Sequence, residues 1–482
     1  MPKSSFFLAT LLLAAISGAA CAQQDGGALI DMLVCKKILT PKEAECLRAD
    51  LAEEKEKSSA GKIKLSGPVT ELKLYGDLRL RNQYDNLDHQ ELVWNEARDR
   101  WENPGHGDQR DRWRVRLRLN ADFKLQDQWF GGVQLQSNRS SDRGNQTFDG
   151  GFKNYDIFIS RVFVGWKAAD WLTLVAGKQP NPFYTTDLLW DPDVNPSGVA
   201  EVLKIHELFG RGGQPPREER PWTLTLATGQ FFFDDNQEFD PPGYNTDAYL
   251  FAEQLIFTCK LGRDVKLTLA PAFLRYNSAQ VNLVFNQQGF AQIINGTATD
   301  GLPPGFGETR DLSVIDVPGD LSFKVCGWKL KLLWDGAYNT AGAKRVNDIY
   351  VYPIRNRAGA IVDYNRVSMH SGKDDYAWLA GFQLGENEKK GDWTLLVNYR
   401  QVGLGAIDPN LNDSDWMLSR LNMRGWKVVI AYNFTDAVLV QLTGYTGDNL
   451  RKNLIGGQAT NGANLANANS VQGLQAALNV KF

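Results

Sequence analysis

From Asp111 to Lys124 the chain reads DRWRVRLRLNADFK. Trp113, Val115, Leu117, Leu119, Ala121 and Phe123 occupy every second position, and Arg112, Arg114, Arg116, Arg118, Asn120 and Asp122 lie between them. A period of two puts the apolar groups on one face of a strand and the polar groups on the other. On a helix the same residues would scatter around the axis and bury nothing coherent. One face is therefore wet and strongly basic, and the other requires an apolar environment. A soluble antiparallel sheet wetted on one face accounts for this stretch equally well, so the rest of the chain has to decide.

The same period recurs from Glu71 onward. Leu72, Leu74, Gly76, Leu78 and Leu80 alternate with Lys73, Tyr75, Asp77, Arg79 and Arg81. Further strands are expected near 129–137, 154–166, 171–179, 197–207, 221–233, 247–260, 264–276, 312–324, 328–339, 375–385, 392–404, 422–434, 437–446 and 469–482, sixteen in all. Their connections alternate in length. Turns at Gln126-Asp127, Gly262-Arg263, Cys326-Gly327 and Thr435-Asp436 are short, whereas 85–110, 277–311, 340–374 and 447–468 are long and polar; 208–220 breaks the rule. A hairpin barrel with short periplasmic turns and long extracellular loops has this rhythm. A sandwich has no reason to gather its long loops at one end, and an open sheet of this size would expose its edges.

Two features near strand ends fit a membrane. Trp129, Trp166, Trp171, Trp328, Tyr432 and Phe434 lie beside the short turns, where an aromatic girdle would sit. The last strand alternates Leu474, Ala476, Leu478 and Val480 and ends on Phe482, which looks like the signal read by outer-membrane assembly machinery. A chance aromatic is the other explanation. The expected fold is all-β, a 16-stranded antiparallel transmembrane barrel over residues 64–482.

The N-terminus reads as targeting. Lys3 precedes an apolar run from Phe6 to Ile16, and Ala20-Cys21-Ala22 is an A-x-A site, so a signal peptide over 1–22 is expected. Processing as a lipoprotein at Cys21 is the rival; the leucine usual three places upstream is missing. Residues 23–63 are expected to form a short periplasmic helical hairpin and linker. Leu29, Ile30, Leu33 and Val34 make a first stripe. Thr40-Pro41-Lys42-Glu43 is a capping box opening a second helix with Ala44, Leu47 and Leu51 on one face. Cys35 and Cys46 fall on opposite arms, as a disulfide or as two small buried thiols.

Composition narrows the function. A formal charge of -3 argues against nucleic acid as a partner, and four scattered histidines argue against a histidine metal site. There is no GxSxG elbow with a partner histidine and no H-E-x-x-H, so no enzyme and no cofactor are expected. Residues 23–63 are too few to plug an energy-driven transporter.

The helical opening ILTPKEAECL (Ile38–Leu47), the segment AGKQPNPFYTTDLLWDPDVNPSG (Ala176–Gly198), the strand VIDVPGDLSFK (Val314–Lys324), NDSDW (Asn412–Trp416) and GWKVVIAYNFTD (Gly425–Asp436) together resemble the putative-porin family of Gram-negative outer membranes. The resemblance spans nearly all of the chain after residue 22. It implies a trans-envelope diffusion channel for small hydrophilic solutes and ions, set among outer-membrane lipid and lipopolysaccharide, without catalysis. A homotrimer is likewise only implied by it. A structural or adhesin barrel acting through long extracellular loops is the alternative.

Candidate pore chemistry follows from pairing the first two strands as a hairpin. Asp77 then faces Arg118, Arg79 faces Arg116, and Arg81 faces Arg114, with Arg112 nearer the extracellular rim. Stacked like charges need water or counter-ions, which a water-filled lumen supplies. The functional reading is a basic ladder lining the pore; the plainer one is a set of arginines paired with carboxylates for stability. The loop Pro180–Gly198 carries Asp187, Asp191 and Asp193, with Glu201 nearby, and four stiffening prolines. It resembles the third extracellular loop that folds inward in many porins. Across from the arginines it would set a transverse field at a constriction; otherwise it is an ordinary solvated loop. Asp191, Asp193 and Asn195 have calcium-loop spacing, but Pro196 stands where that turn needs glycine and no glutamate falls at the twelfth position, so no metal is expected.

Overall fold

The computed structural model describes Val34, Lys36, Thr40, residues 42–45 and 47–48, and then 66–482 without 90–92, 96–99, 103–106, 138–143, 149–150, 153, 209–219, 235–246, 278–311, 350, 356–360, 367–371, 373, 410 and 452–467. The expected signal peptide, Cys35 and Cys46 lie outside the described residues. The chain divides into two compact units, Met1–Ser66 and Gly67–Phe482.

In the first unit, residues 42–45 and 47–48 are helical. Thr40 caps them: its N–H and Oγ1 donate to Glu43 Oε2 at 2.8 and 2.7 Å, and the Glu43 N–H donates back to Thr40 Oγ1 at 3.3 Å. This is the reciprocal capping box that the sequence suggested. The side-chain bond from Thr40 holds the Glu43 carboxyl below its ordinary range.

The second unit is one closed sheet. Its strands in chain order are β1 (Val69–His89), β2 (Gly107–Leu125), β3 (Trp129–Ser137), β4 (Ile157–Ala169), β5 (Leu172–Lys178), β6 (Ser197–Lys204), β7 (Trp222–Asp234), β8 (Ala248–Lys260), β9 (Lys266–Leu269 with Ala272–Tyr276), β10 (Ser313–Asp316 with Gly319–Val325), β11 (Trp328–Asn339), β12 (Tyr376–Gly385), β13 (Trp393–Val402), β14 (Met423–Asn433), β15 (Val438–Asn449) and β16 (Ala468–Lys481). Each pairs antiparallel with its neighbours in sequence, and β16 returns to pair with β1 from Asp77↔Lys481 to His89↔Ala468. All sixteen expected strands are present. Pro271 and Pro318 interrupt β9 and β10, because proline brings no N–H to the ladder. A two-residue segment, Gln146–Thr147, adds to β2 from a long connection.

Alternation sets the two faces. Leu74, Leu78, Leu119, Val162, Val164, Ile430, Leu442 and Leu478 are exposed on the outside. Their neighbours in sequence point into the lumen. Exposed aromatics stand at the short-turn end, with Trp129 stacked on Trp166 at 5.6 Å and Trp328 against the half-buried Trp393 at 4.9 Å. At the seam the backbones of Gly76 and Phe482 exchange hydrogen bonds of 2.8 and 3.1 Å. A side chain at Gly76 would meet the Phe482 ring at 2.7 Å and the Arg118 carbonyl at 2.6 Å, so glycine there lets the ring lie across the closing strand.

The long connections hold more structure than their polarity suggested. Residues 340–374 include a helix, Gly342–Ile349, and a small hairpin, Val351–Arg355 with Ile361–Arg366. More consequentially, 179–196 and 403–422 carry a shared apolar cluster. Leu188, Leu189, Trp190, Leu404, Ile407, Leu411, Trp416, Met417 and Leu421 are buried together against wall residues Phe231, Leu250, Tyr276 and Val314. Phe231 and Gly229 alternate with the outward Phe232 and Gln230, so this cluster lies on the lumen side of the wall.

Candidate pore lining and the two inward segments

The β1–β2 register places Asp77 opposite Arg118, Arg79 opposite Arg116 and Arg81 opposite Arg114, as the hairpin pairing suggested, and Gln83 opposite Arg112. Arg79, Arg81, Arg114, Arg116 and Arg118 are only 2–9% exposed, while Trp113, Leu78 and Leu119 between them are exposed. The arginines therefore stand on the inner wall. Sixteen strands and strict alternation fix this: a one-residue slip would turn the whole stack outward.

The inward segments bring carboxylates to the stack. Asp193 accepts from Arg118 at 2.8 Å and from Arg116 at 3.2 Å, with Arg79 at 3.9 Å. Arg116 also donates to Asp77 at 2.8 Å. Asp415, from the segment 403–422, takes both terminal nitrogens of Arg81 at 2.6 and 2.9 Å. Arg112 donates to Asp85 at 2.8 Å, and Asp85 also accepts from the Tyr445 hydroxyl at 2.6 Å. Arg114 meets neutral partners, the Gln83 amide oxygen at 3.1 Å and the Asn145 carbonyl at 3.4 Å. The Arg79 guanidinium likewise donates to the Asn145 amide oxygen at 2.6 Å.

A second junction lies on β13 and β14. Asp187 accepts from Arg400 at 2.8 Å and Lys427 at 3.0 Å; Asp413 accepts from the same two at 3.3 and 2.9 Å. Arg400 is fully buried and its guanidinium lies 5.2 Å from the Trp416 ring. A third anchor is on the opposite wall, where the Tyr184 hydroxyl donates to Asp320 at 2.5 Å and Thr186 donates to Asp335. Asp191 joins the two inward segments to each other. It accepts from the Ser414 N–H and hydroxyl at 3.2 Å each, and its own N–H donates to the Leu411 carbonyl at 2.6 Å.

Burial raises the carboxyl pKa of Asp187, Asp193 and Asp415, but the adjacent cations outweigh it and hold all three below the ordinary range. Lys427 and Arg400 do this for Asp187, Arg118 and Arg116 for Asp193, and Arg81 for Asp415. The chemistry available is that of charge and hydrogen bonding. Among the described residues no group of three or more His, Cys, Asp or Glu side chains is arranged to hold a metal ion.

Three expectations change in form. The acidic segment does not lie across a gap from the arginines: Asp193 is in contact with them. Asp187 and Asp191 serve other junctions. Glu201 is not in the segment at all. It stands on β6 beside the exposed Val199, pairs with Thr228 in register, and accepts from Thr228 Oγ1 and from Gln230 Nε2, on the outer face. The segment 403–422, with Asp413 and Asp415, and its partners Arg400 and Lys427 were missed. The signal for it was present as Asn412–Trp416 and the apolar residues Leu404, Ile407, Leu411 and Leu421, too many for a solvated loop.

Solved structures to which the chain is similar include OmpF of Salmonella typhi in complex with daunomycin, 11% identical over 87% of this chain and 100% of that one at a TM-score of 0.43. OprB of Pseudomonas putida is 11% identical over 85% of this chain and 94% of its own, at 0.43. A porin of Rh. blastica, as an engineered mutant, is 11% identical over 86% of this chain and 100% of its own, at 0.38. No curated protein matches the sequence. The family model described as putative porin matches residues 52–310 and 332–482, which with the closed sixteen-stranded barrel places the chain in that family: it is a member of the putative porin family.

Proposed function

We propose that the chain is an outer-membrane porin, a water-filled channel through which small hydrophilic solutes and ions diffuse passively. The observation that carries this reading is the division of charge across the wall. Six arginines of β1 and β2 face inward, and the outward residues between them are apolar. On a lipid-facing wall each arginine at the bilayer midplane would cost roughly 2–4 kcal/mol; on the inner face the stack is met instead by the carboxylates of Asp77, Asp85, Asp193 and Asp415. The exposed tryptophans at the short-turn end suit a periplasmic interface girdle. The two inward segments narrow the lumen. Asp193 and Asp415 fasten them to the arginine wall, and the remaining positive charge of Arg79 and Arg114 tilts the local potential toward anions.

The shared apolar cluster of the inward segments favours a second reading, a sealed barrel with a structural or adhesive role. Reconstitution in a planar bilayer separates the two. Steady ohmic steps in potassium chloride support the channel, and a protein that inserts as a folded barrel without any steps supports the sealed barrel.

A further inference from the structure

The inner wall carries a second cationic feature, far from the arginines. In one row across β8 to β12, the register reads Lys260↔Lys266, Lys266↔Ser322, Ser322↔Lys331 and Lys331↔Gln383. Side chains directly opposite on one face of adjacent strands lie about 5 Å apart, so Lys260 and Lys266 are immediate neighbours and Lys331 is two strands further on. The row points inward, because the next inward row beyond it holds Thr268 and Asp320, both buried, and Asp320 bonds Tyr184 of the inward segment 179–196.

Like charges directly opposite destabilise a sheet, and this row contains no carboxylate. Lys331 lies 3.7 Å from Asp320, whose oxygens are already taken by Tyr184 and Ser322. The next row toward the short turns, Lys324↔Lys329, differs: Lys324 pairs with Asp264 at 3.1 Å and Lys329 with Glu386 at 2.8 Å. Among the described residues Lys260 and Lys266 have no such carboxylate. These side chains line a cavity of about 850 Å³ on the short-turn side of Tyr184.

We propose that this lysine row is a binding station for a small multivalent anion bearing carboxylate or phosphate groups, placed just past the constriction. It rests on the channel reading for its role and deepens it by naming a solute class. Lysine ammonium groups are mobile point charges without the fixed fork of arginine, so the station reads charge density rather than shape. Lys260 and Lys266 stand one strand spacing apart and Lys331 about 10 Å beyond Lys266; on their flexible stems, two or three of these ammonium groups engage a dianion or trianion together and a chloride ion singly. The solute therefore meets the excess charge of Arg79 and Arg114 first and the lysine row second, without being held by both at once.

The test uses the full protein folded in detergent and in a planar bilayer, with citrate in one arm and inorganic tripolyphosphate in the other. Calorimetric titration is expected to show saturable binding of both anions, weakened at least tenfold in Lys260→Gln/Lys266→Gln/Lys331→Gln. Lys324→Gln/Lys329→Gln should weaken it less than threefold. In the bilayer, either anion added on the short-turn side should reduce chloride current in the parent and not in the triple variant. Heat-modifiable migration on gels confirms that each variant is folded; the lysines other than half-buried Lys331 are exposed, so the exchanges leave the fold intact. Absence of saturable binding, or equal binding by the triple variant, overturns the station. Current steps without binding overturn the station and leave the channel standing. Binding without any current steps keeps the station and overturns the channel.

Discussion

Arg81 and Asp415 are 334 residues apart in sequence and meet through two parallel N–H···O bonds of 2.6 and 2.9 Å. The planar guanidinium fits a carboxylate in this fork-to-fork way, which fixes direction as well as distance. It is the only described bond between the segment 403–422 and the arginine wall that uses both terminal nitrogens of one arginine on one carboxylate group. In Asp415→Asn the fork is lost and Arg81 stays buried beside a neutral amide, at a cost on the order of 1–3 kcal/mol. Single-channel recording should then show a larger and noisier conductance, as the segment leaves the wall part of the time. A trace indistinguishable from the parent would mean that the apolar cluster alone holds the segment.

Asp193 supplies the second fastening, and its removal has a signed effect. Asp193→Asn leaves Arg116 and Arg118 without their shared carboxylate, so reversal potential in a salt gradient should move toward anions. The double exchange of Arg116 and Arg118 for Glu should move it toward cations. Screening lengths are about 10 Å at 0.1 M salt and about 3 Å at 1 M, so both shifts should shrink at high salt. Exchange of Arg112, which Asp85 already neutralises, should do less. If these arginines serve only as anchors, the same variants lower thermal stability and leave the potential where it was.

The response to acid follows from the same carboxylates. Asp187, Asp193 and Asp415 are held below the ordinary value of 3.8 by adjacent cations that outweigh burial. A depressed folded-state pKa contributes stability that is present above the unfolded value and lost as pH falls through the folded one. Conductance should therefore be flat from pH 7 to pH 5. Below about 3.8, where the unfolded chain takes up protons first, the fastenings weaken, and the inward segments should come free as pH falls further. A midpoint near neutrality, read from a pH series in the bilayer, would point to a different switch.

Closure can be tested at Gly76. Gly76→Val places a branched side chain where the Arg118 carbonyl and the Phe482 ring already stand, at 2.6 and 2.7 Å from a Cβ. Less heat-modifiable barrel should form, as judged by gel migration before and after boiling. Phe482→Ala should have a milder effect on the folded product, since the backbone bonds to Gly76 do not need the ring. A fully folded Gly76→Val barrel would show that the seam can shift to admit the side chain.

Much of the wall was legible because a period of two survives sixteen times, and one residue of slip would expose arginines and bury nothing. Register at β1–β2 was legible for the same reason. The breaks at Pro271 and Pro318 were less so, since the alternation resumes after each with the correct face inward. The segment 403–422 was read partly as strand because Gly403 and Leu404 continue the pattern of Gln401 and Val402 by composition; what turns the chain inward is a long-range fit of Leu404, Ile407 and Trp416 against Leu188 and Trp190. The lysine row could not be seen along the chain at all. Its members are ordinary near strand ends, and only pairing across β8 to β11 makes them neighbours. Glu201 was misplaced because a carboxylate close in sequence to an acidic loop was taken to share its surroundings.

The pairing of β1 with β16 also governs time. Fourteen of the sixteen strands find both neighbours within adjacent hairpins, while the seam joins segments separated by nearly the whole barrel sequence. Loop closure of that length is entropically slow, and until it happens every intermediate is a curled sheet with two unpaired borders, each able to recruit another chain. The arginines of β1 lie on one of those borders, as yet without Asp193 or Asp415 against them. Two such borders aligned with Arg79 and Arg81 facing each other would repel, so in that register the charge that later holds the inward segments in place would first keep unfinished molecules apart.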